Sequence, residues 1–273
     1  MHPVIIGLAS LGAVGHVSFD RAASYYDATR GLPDEAKRSL AEILSRELAQ
    51  RGRCLEIGVG TGRIALPLRH LGIDLTGTDI SAGMLDRLRE NGRDGEILPV
   101  LLADAVDLPF AGSSFGAVLS SHVLHLIASW KAVVDEAVRV LDPKGVLLVD
   151  FGGGAPAPWS RWSAEILEAH GVPRIRPGVS TPGPIADHLG TRSTLRPLAV
   201  HMTARRSLQQ DLDEWQAQIH SWTWPYRPDE MEVACEAVRA HAVSEGRSLS
   251  EEVDLHWTIQ WWAFDLAGDS IGS

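Results

Sequence analysis

Along the first half of the chain the spacing of apolar positions switches repeatedly between two periods. Leu40, Ile43, Leu44 and Leu48 fall on one stripe at the helical period, with Pro33 suited to a first turn, which predicts a helix over 34–48. Next the pattern predicts strand at 53–57, helix at 62–71 closed by Gly72, strand at 73–78, and helix at 81–91 closed by Gly92. The runs ILPVLLADA (97–105) and FGAVLSS (115–121) are apolar almost throughout, as in parallel strands buried on both faces. Trp130, Val133, Val134, Ala137, Val138 and Leu141 return to helical spacing, DPKG (142–145) makes a turn, and VLLVDF (146–151) supplies another strand. Such alternation predicts an α/β fold with a doubly wound sheet and right-handed crossovers.

After Phe151 the rhythm stops. GGGAPAP (152–158) and PGVSTPGP (177–184) read as flexible stretches with a short helix near 162–170 between them, and strand character returns at 195–203. Two helices follow, each opened by a capping-box pair, Ser207 with Gln210 and Asp229 with Glu232. Leu208, Leu212, Trp215, Ile219 and Trp222 stripe the first, and Met231, Ala234, Cys235 and Val238 the second; an extended run at 253–264 follows. The organisation implied is an N-terminal arm and core over 1–151, a Gly/Pro-hinged cap over 152–194, and 195–273 completing the same domain.

Composition narrows the function. A chain of 273 residues, 45% hydrophobic, can bury a large core, and its net charge of −10 opposes non-specific binding to a phosphate backbone, so no nucleic-acid partner is expected. Cys54 and Cys235 stand far apart with no CxxC spacing or His cluster nearby, which reads as two buried thiols in a cytoplasmic protein with no metal site. The apolar run 4–17 is too short to span a bilayer and lacks the features of a secretory leader; it reads as an arm or short helix packed on the domain.

Gly58, Gly60 and Gly62 in CLEIGVGTGRIAL end a strand and feed a helix, where bare backbone lets a ligand approach main-chain atoms. A dinucleotide fingerprint starting at Gly58 would put its third glycine at 63, which is Arg63; this spacing disfavours the alternative of a nicotinamide-dependent oxidoreductase. Taken with GTDIS (77–81), ADAVDLPF (103–110), SFDRAASYYDATRGLP (18–33), SSFGAVLSSHVLHLI and EAVRVLDPKGVLLV, the motif EIGVGTG resembles that of the class I S-adenosylmethionine-dependent methyltransferases. Within these it is similar to the type 11, ubiquinone/menaquinone-biosynthesis-like domain over about residues 19–151. The resemblance implies a Rossmann-like seven-stranded sheet, parallel with an antiparallel last strand, plus a helical cap insertion. It implies S-adenosyl-L-methionine as cofactor and S-adenosyl-L-homocysteine as product. By the same resemblance Asp79 meets the ribose, Asp104 the adenine, and Tyr26 and Arg30 the methionyl part, with Glu56, Gly58, Gly60, Gly62, Arg63, Ile80, Met84, Ala105 and Ser121 completing the cofactor site. Asp79 has a plainer reading as a helix cap. Pro67, inside the helix after the glycines, departs from an ordinary helix interior.

Methyl transfer gains mainly from positioning, and an acidic acceptor gains further from a general base. His122 is the candidate base, because the segment after the fourth strand lines the methyl end of the cofactor in this fold; His125 reads as structural. Eight of the nine tryptophans lie beyond residue 151. Trp159, Trp162 and Trp222 are candidates to contact a small planar or apolar acceptor methylated on O, C or N, against the competing reading that they form a core. A non-catalytic S-adenosylmethionine-binding protein is the second alternative. Oligomeric state is left open.

Overall fold

A computed structural model of the chain describes residues 19–30, 34–92, 98–152, 156–190 and 193–267. The run at 4–17, Pro33 and the side chain of Arg30 lie outside the described residues. In chain order the elements are α1 (Tyr26–Arg30), α2 (Asp34–Leu48), β1 (Cys54–Ile57), α3 (Ala65–His70), β2 (Leu75–Asp79), α4 (Ala82–Asn91), β3 (Val100–Leu102), β4 (Phe115–Ser121), α5 (Trp130–Val140), β5 (Leu141–Asp150), α6 (Ser160–Ala169), α7 (Pro182–Leu189), β6 (Ser193–Arg206), α8 (Leu208–Gln216), α9 (Pro228–Ser244) and β7 (Val253–Leu266). The described chain divides into two compact units, a larger one of 19–152, 177–200 and 259–267 and a smaller one of 156–176 and 201–258.

The larger unit carries a seven-stranded sheet in the order β3-β2-β1-β4-β5-β7-β6. β1 to β5 pair in parallel and β7 runs antiparallel to β5, with Asp150 opposite Trp261, so the doubly wound sheet with its antiparallel strand is as expected. Every residue of β1 and β4 is buried, because helices cover both faces of the central strands. Leu55, Ile57, Val118, Leu147 and Val149 of the strands share one cluster with Val133, Val134, Ala137 and Val140 of α5 and Ile185 and Leu189 of α7.

Several local expectations change. β3 covers only three residues and is an edge strand, leaving Leu101 37% and Leu102 62% exposed instead of buried on both faces. α3 starts at Ala65, three residues later than the pattern suggested, so Pro67 is its third residue, where a backbone N–H has no helical partner to lose. Gly92 ends α4 in extended backbone at φ −63°, whereas Gly72 does take the left-handed turn at φ +83°. DPKG is no separate turn: the pairing with β4 jumps from Leu141 to Val146, and these residues bulge out of β5. The stretch 177–184 is pinned, with Gly178 and Val179 donating their N–H groups to the carbonyls of His125 and Leu124 at 3.1 Å, and Pro182 opens α7, which the sequence reading missed. The described residues of 152–194 divide between the two units.

In the smaller unit α6 and α8 both pack on α9. The Ser207/Gln210 capping box forms, but α8 stops at Gln216, so Ile219 and Trp222 lie beyond it. α9 begins two residues earlier than the Asp229/Glu232 pairing implied, with Pro228 at its first position and the Arg227 N–H donated to the Glu230 carboxylate at 2.8 Å. Met231, Ala234, Cys235 and Val238 are buried as the stripe requires. Cys54 and Cys235 are buried free thiols; burial pushes them up to about 12 and about 11.

Candidate active site

In an open α/β sheet, ligands bind outside the carboxyl ends of the strands where the strand order reverses. Here that point lies between β1 and β4. The glycine loop follows β1, Asp79 ends β2, Asp104 follows β3, His122 follows β4 and Asp150 ends β5. Topology alone therefore brings most of the predicted residues to one edge of the larger unit.

The three glycines have different duties. All have positive φ, at +70°, +56° and +86° for Gly58, Gly60 and Gly62. A Cβ on Gly58 would lie 2.2 Å from Val123 Cγ2, and one on Gly62 2.7 Å from Leu66 Cγ, whereas one on Gly60 meets nothing within 4 Å. Gly58 and Gly62 thus serve the turn and its packing. Gly60 presents open backbone.

Asp79 braces that loop. Its Oδ2 accepts the Gly60 N–H at 2.8 Å and its Oδ1 the Ser81 N–H at 2.9 Å; burial, with the charge of Asp20 adding, pushes its carboxyl above the usual range despite these bonds. The N-cap of α4 is Ser81, which takes the Met84 N–H at 3.1 Å, so the plain cap reading of Asp79 is replaced by one of loop support. Two acids that the sequence reading passed over tie the N-terminal segment down. Asp20 accepts from Ser81 Oγ at 2.5 Å and from the Gly83 N–H at 3.0 Å. Asp27 accepts from Thr61 Oγ1 at 2.5 Å, Asn91 Nδ2 at 2.8 Å and Arg87 Nε at 3.2 Å. Burial works to raise the Asp27 carboxyl, but these bonds outweigh it and hold it below its ordinary value.

Glu56 is the electrostatic oddity. It is 2% exposed, burial pushes its carboxyl up to about 8 against the opposing charge of Arg63, and Oε2 has no hydrogen-bond partner among the described residues. A buried polar atom without a partner costs about 1–3 kcal/mol, which a polar ligand on the open backbone of Gly60 would relieve. These residues fit an adenosyl amino acid of the kind expected from the motif.

The remaining predicted residues fall in different places. Tyr26 and Arg63 line, with Gly62, Asp27, Lys37 and Arg87, a cavity of about 560 Å³; Glu56, Asp79 and Asp104 are not among its walls. Ile80 is 43% exposed, Asp104 and Ala105 are half-buried, and Met84, 2% exposed, belongs to the core. Ser121 is buried and donates to Asp150 Oδ2 at 3.0 Å, while Arg63 donates to Ser121 Oγ at 3.2 Å. His122 has φ +58° and sets Nε2 3.2 Å from the same Asp150 oxygen. Asp150 was missed in the sequence, although an acid ending the otherwise apolar VLLVDF strand was a signal available to find it.

In the smaller unit Trp159 is 7% exposed and donates Nε1–H to Asp211 Oδ2 at 2.6 Å, and Trp162 lies 4.9 Å from the His241 ring. Trp222 is half-buried and shares the Arg174 guanidinium with Trp215, both ring centroids lying 4.7 Å away. Among the described residues no group of three or more His, Cys, Asp or Glu side chains could hold a metal ion, and no helix is long and apolar enough to cross a membrane.

Comparison with known proteins agrees with this geometry. Residues 55–149 match the family model described as a methyltransferase domain. The chain is 32% identical over 152 residues to the demethylmenaquinone methyltransferase of Clavibacter sepedonicus, covering 54% of this chain and 62% of that one. It is also 32% identical over 162 residues to the malonyl-[acyl-carrier protein] O-methyltransferase of Geobacter sulfurreducens, covering 58% of this chain and 59% of that one. The match thus spans about three-fifths of the length of these two relatives. The YcgJ protein of Bacillus subtilis shares the fold, with a TM-score of 0.56 at 15% identity over 84% of this chain and 98% of that one.

Proposed function

We infer that this chain, whose residues 55–149 match a methyltransferase-domain family model, is an S-adenosylmethionine-dependent methyltransferase of the type 11 kind that methylates a small-molecule acceptor. The observation that carries the reading is the buried, unpartnered Glu56 carboxylate oxygen at the glycine loop whose Gly60 backbone is open. Glu56, Gly60, Arg63 and Asp79 would hold the cofactor with Tyr26, Ile80, Asp104 and Ala105. When bound, it supplies an electrophilic methyl group on a sulfonium. The chain's own part is to orient and to exclude water, and preorganised positioning is worth up to ~7–11 kcal/mol. Asp79 keeps the loop in its bound shape through its bonds to Gly60 and Ser81. His122 takes the proton of an acceptor that must lose one. The acceptor expected is planar or apolar, a class to which the quinone named for one relative would belong.

Calorimetry with S-adenosylmethionine, S-adenosylhomocysteine and NAD tests the cofactor assignment. Binding of the first two and not of NAD is expected. Tight NAD binding with none for the others would overturn it, and turnover with a panel of phenolic, amine and carbon-acid acceptors separates an enzyme from a cofactor-binding protein.

A further inference from the structure

The glycine loop has little means of setting its own shape. Thr61 stands between Gly60 and Gly62, both in left-handed backbone at φ +56° and +86°, and glycine takes other conformations about as readily. Inside the loop Gly62 donates its N–H to the Val59 carbonyl at 3.0 Å, and Asp79 at the end of β2 takes the Gly60 N–H at 2.8 Å. Thr61, 2% exposed, is gripped at two further points from α1 and α4. Its Oγ1 donates to Asp27 Oδ1 at 2.5 Å, and its carbonyl accepts from Asn91 Nδ2 at 3.1 Å. Asn91 also donates to Asp27 Oδ2 at 2.8 Å, which closes a triangle of bonds joining α1, the loop and the last residue of α4. Arg87 Nε, 3.2 Å from the same oxygen, supplies the countercharge. The dependence is mutual: α1 has five residues, too few for a helix to be stable alone, so the carboxylate that braces the loop also anchors the helix.

We propose that Asp27 is a positioning residue for cofactor binding: through Thr61 and Asn91 it fixes the backbone that Gly60 leaves open, as Asp79 does from β2, and cofactor affinity depends on that hold. This rests on the methyltransferase reading and deepens it. The physical reason is preorganisation. A ligand that must first order a loop forfeits part of its binding free energy, whereas one that meets a loop already held does not. Both oxygens of Asp27 are engaged in the hold, one by Thr61 and the other by Asn91 and Arg87. Burial works to raise the carboxyl, but these bonds outweigh it and keep the group ionised, so each bond is charge-assisted and stronger than its neutral counterpart. An amide of the same size cannot replace it. It would offer a single oxygen and turn an N–H donor toward the donors of Asn91 and Arg87 or toward Thr61, and the triangle would open.

Hydrogen exchange of the ligand-free full chain reads the hold directly. Asp27→Asn should speed exchange at the Gly60 and Gly62 amides by about tenfold or more while the central strands keep their protection. Calorimetry with S-adenosylhomocysteine reads the consequence: its Kd should rise about tenfold or more in Asp27→Asn. Thr61→Val should weaken binding as well, and the double variant should bind no more weakly than Asp27→Asn alone, because both changes remove the same bond. A merely structural tether would lower Tm and leave the affinity of the folded protein as it was. An unchanged Kd in folded Asp27→Asn therefore overturns the proposal, and so do losses that add in the double variant. Should Asp27→Asn not fold, Thr61→Ser against Thr61→Val decides, because serine keeps the hydroxyl: affinity retained in the first and lost in the second is expected, and equal affinities overturn the proposal. A loop that loosens as expected in Asp27→Asn, in a protein whose unmodified form does not bind S-adenosylhomocysteine, would overturn the methyltransferase reading on which the proposal rests, and so separates the two failures.

Discussion

Glu56 buries a carboxyl at the strand end that faces the glycine loop, and its folded value of about 8 sets the sign of a pH effect. Against about 4.5 in the unfolded chain, the raised value means the group favours folding below about pH 4.5 and loses that contribution as the pH climbs through about 8, where the buried carboxylate must stand ionised. Glu56→Gln keeps the shape without the charge, so the variant should melt progressively higher than the unmodified protein as pH rises. Melting curves taken across that window check it, and parallel curves would mean the carboxyl is already ionised when folded. If a cationic ligand group settles at Glu56, binding near neutral pH should release a proton, seen as a dependence of the calorimetric heat on buffer. Glu56, the glycines and Asp79 stood out as candidates in the sequence because their spacing lies within one strand–loop–helix–strand unit. Asp150 did not, because its meaning arises only from the register that sets it beside Ser121 and His122, some thirty positions away along the chain.

At the scale of elements, periodicity served where one face of a helix meets the core, as in α2, α5 and α9, and failed where composition misleads. PGVSTPGP looks like a hinge. Yet Pro182 is a helix start, and Gly178 is small because a Cβ there would lie 1.9 Å from the Leu124 carbonyl oxygen and 2.6 Å from that of Ile127. Gly178→Ala should therefore destabilise the protein by about 1–3 kcal/mol, since backbone carbonyls cannot rotate aside as a side chain can. Gly183, in α7 with nothing within 4 Å of its would-be Cβ, is the contrasting site: Gly183→Ala should gain about 0.5–1 kcal/mol. Denaturant titration of both variants measures the pair, and equal effects would show that the segment is loose. β3 misled differently. Its apolar residues suggested burial on both faces, but as an edge strand it leaves Leu101 and Leu102 exposed, and only the whole strand order reveals that position.

The division into two units was hidden from the sequence for a related reason. β6 and β7 each contribute residues to both, so no linker composition marks the change, and the Gly/Pro stretch at 152–158 resembles a hinge more than a boundary. The consequence falls on residues 156–176, read from the sequence as part of a hinged cap, which would close over a ligand as a lid. In the smaller unit Leu167 and Val172 are fully buried, Trp159 is 7% exposed with its Nε1–H held by Asp211, and α6 lies on α9. A segment anchored by core side chains opens only with its unit, so its amides should exchange slowly in the ligand-free protein. Strong protection over α6 without any ligand is expected, changing little when S-adenosylmethionine is added. Trp159→Ala should then act through stability, at about 3–5 kcal/mol for a large buried aromatic, by opening a cavity and removing the indole donor from Asp211 Oδ2. Its expected signature is a lower Tm with exchange accelerated throughout α6, α8 and α9. Fast exchange over α6 in the empty protein that slows on ligand binding, with a raised acceptor KM and an unchanged Tm in Trp159→Ala, would restore the lid.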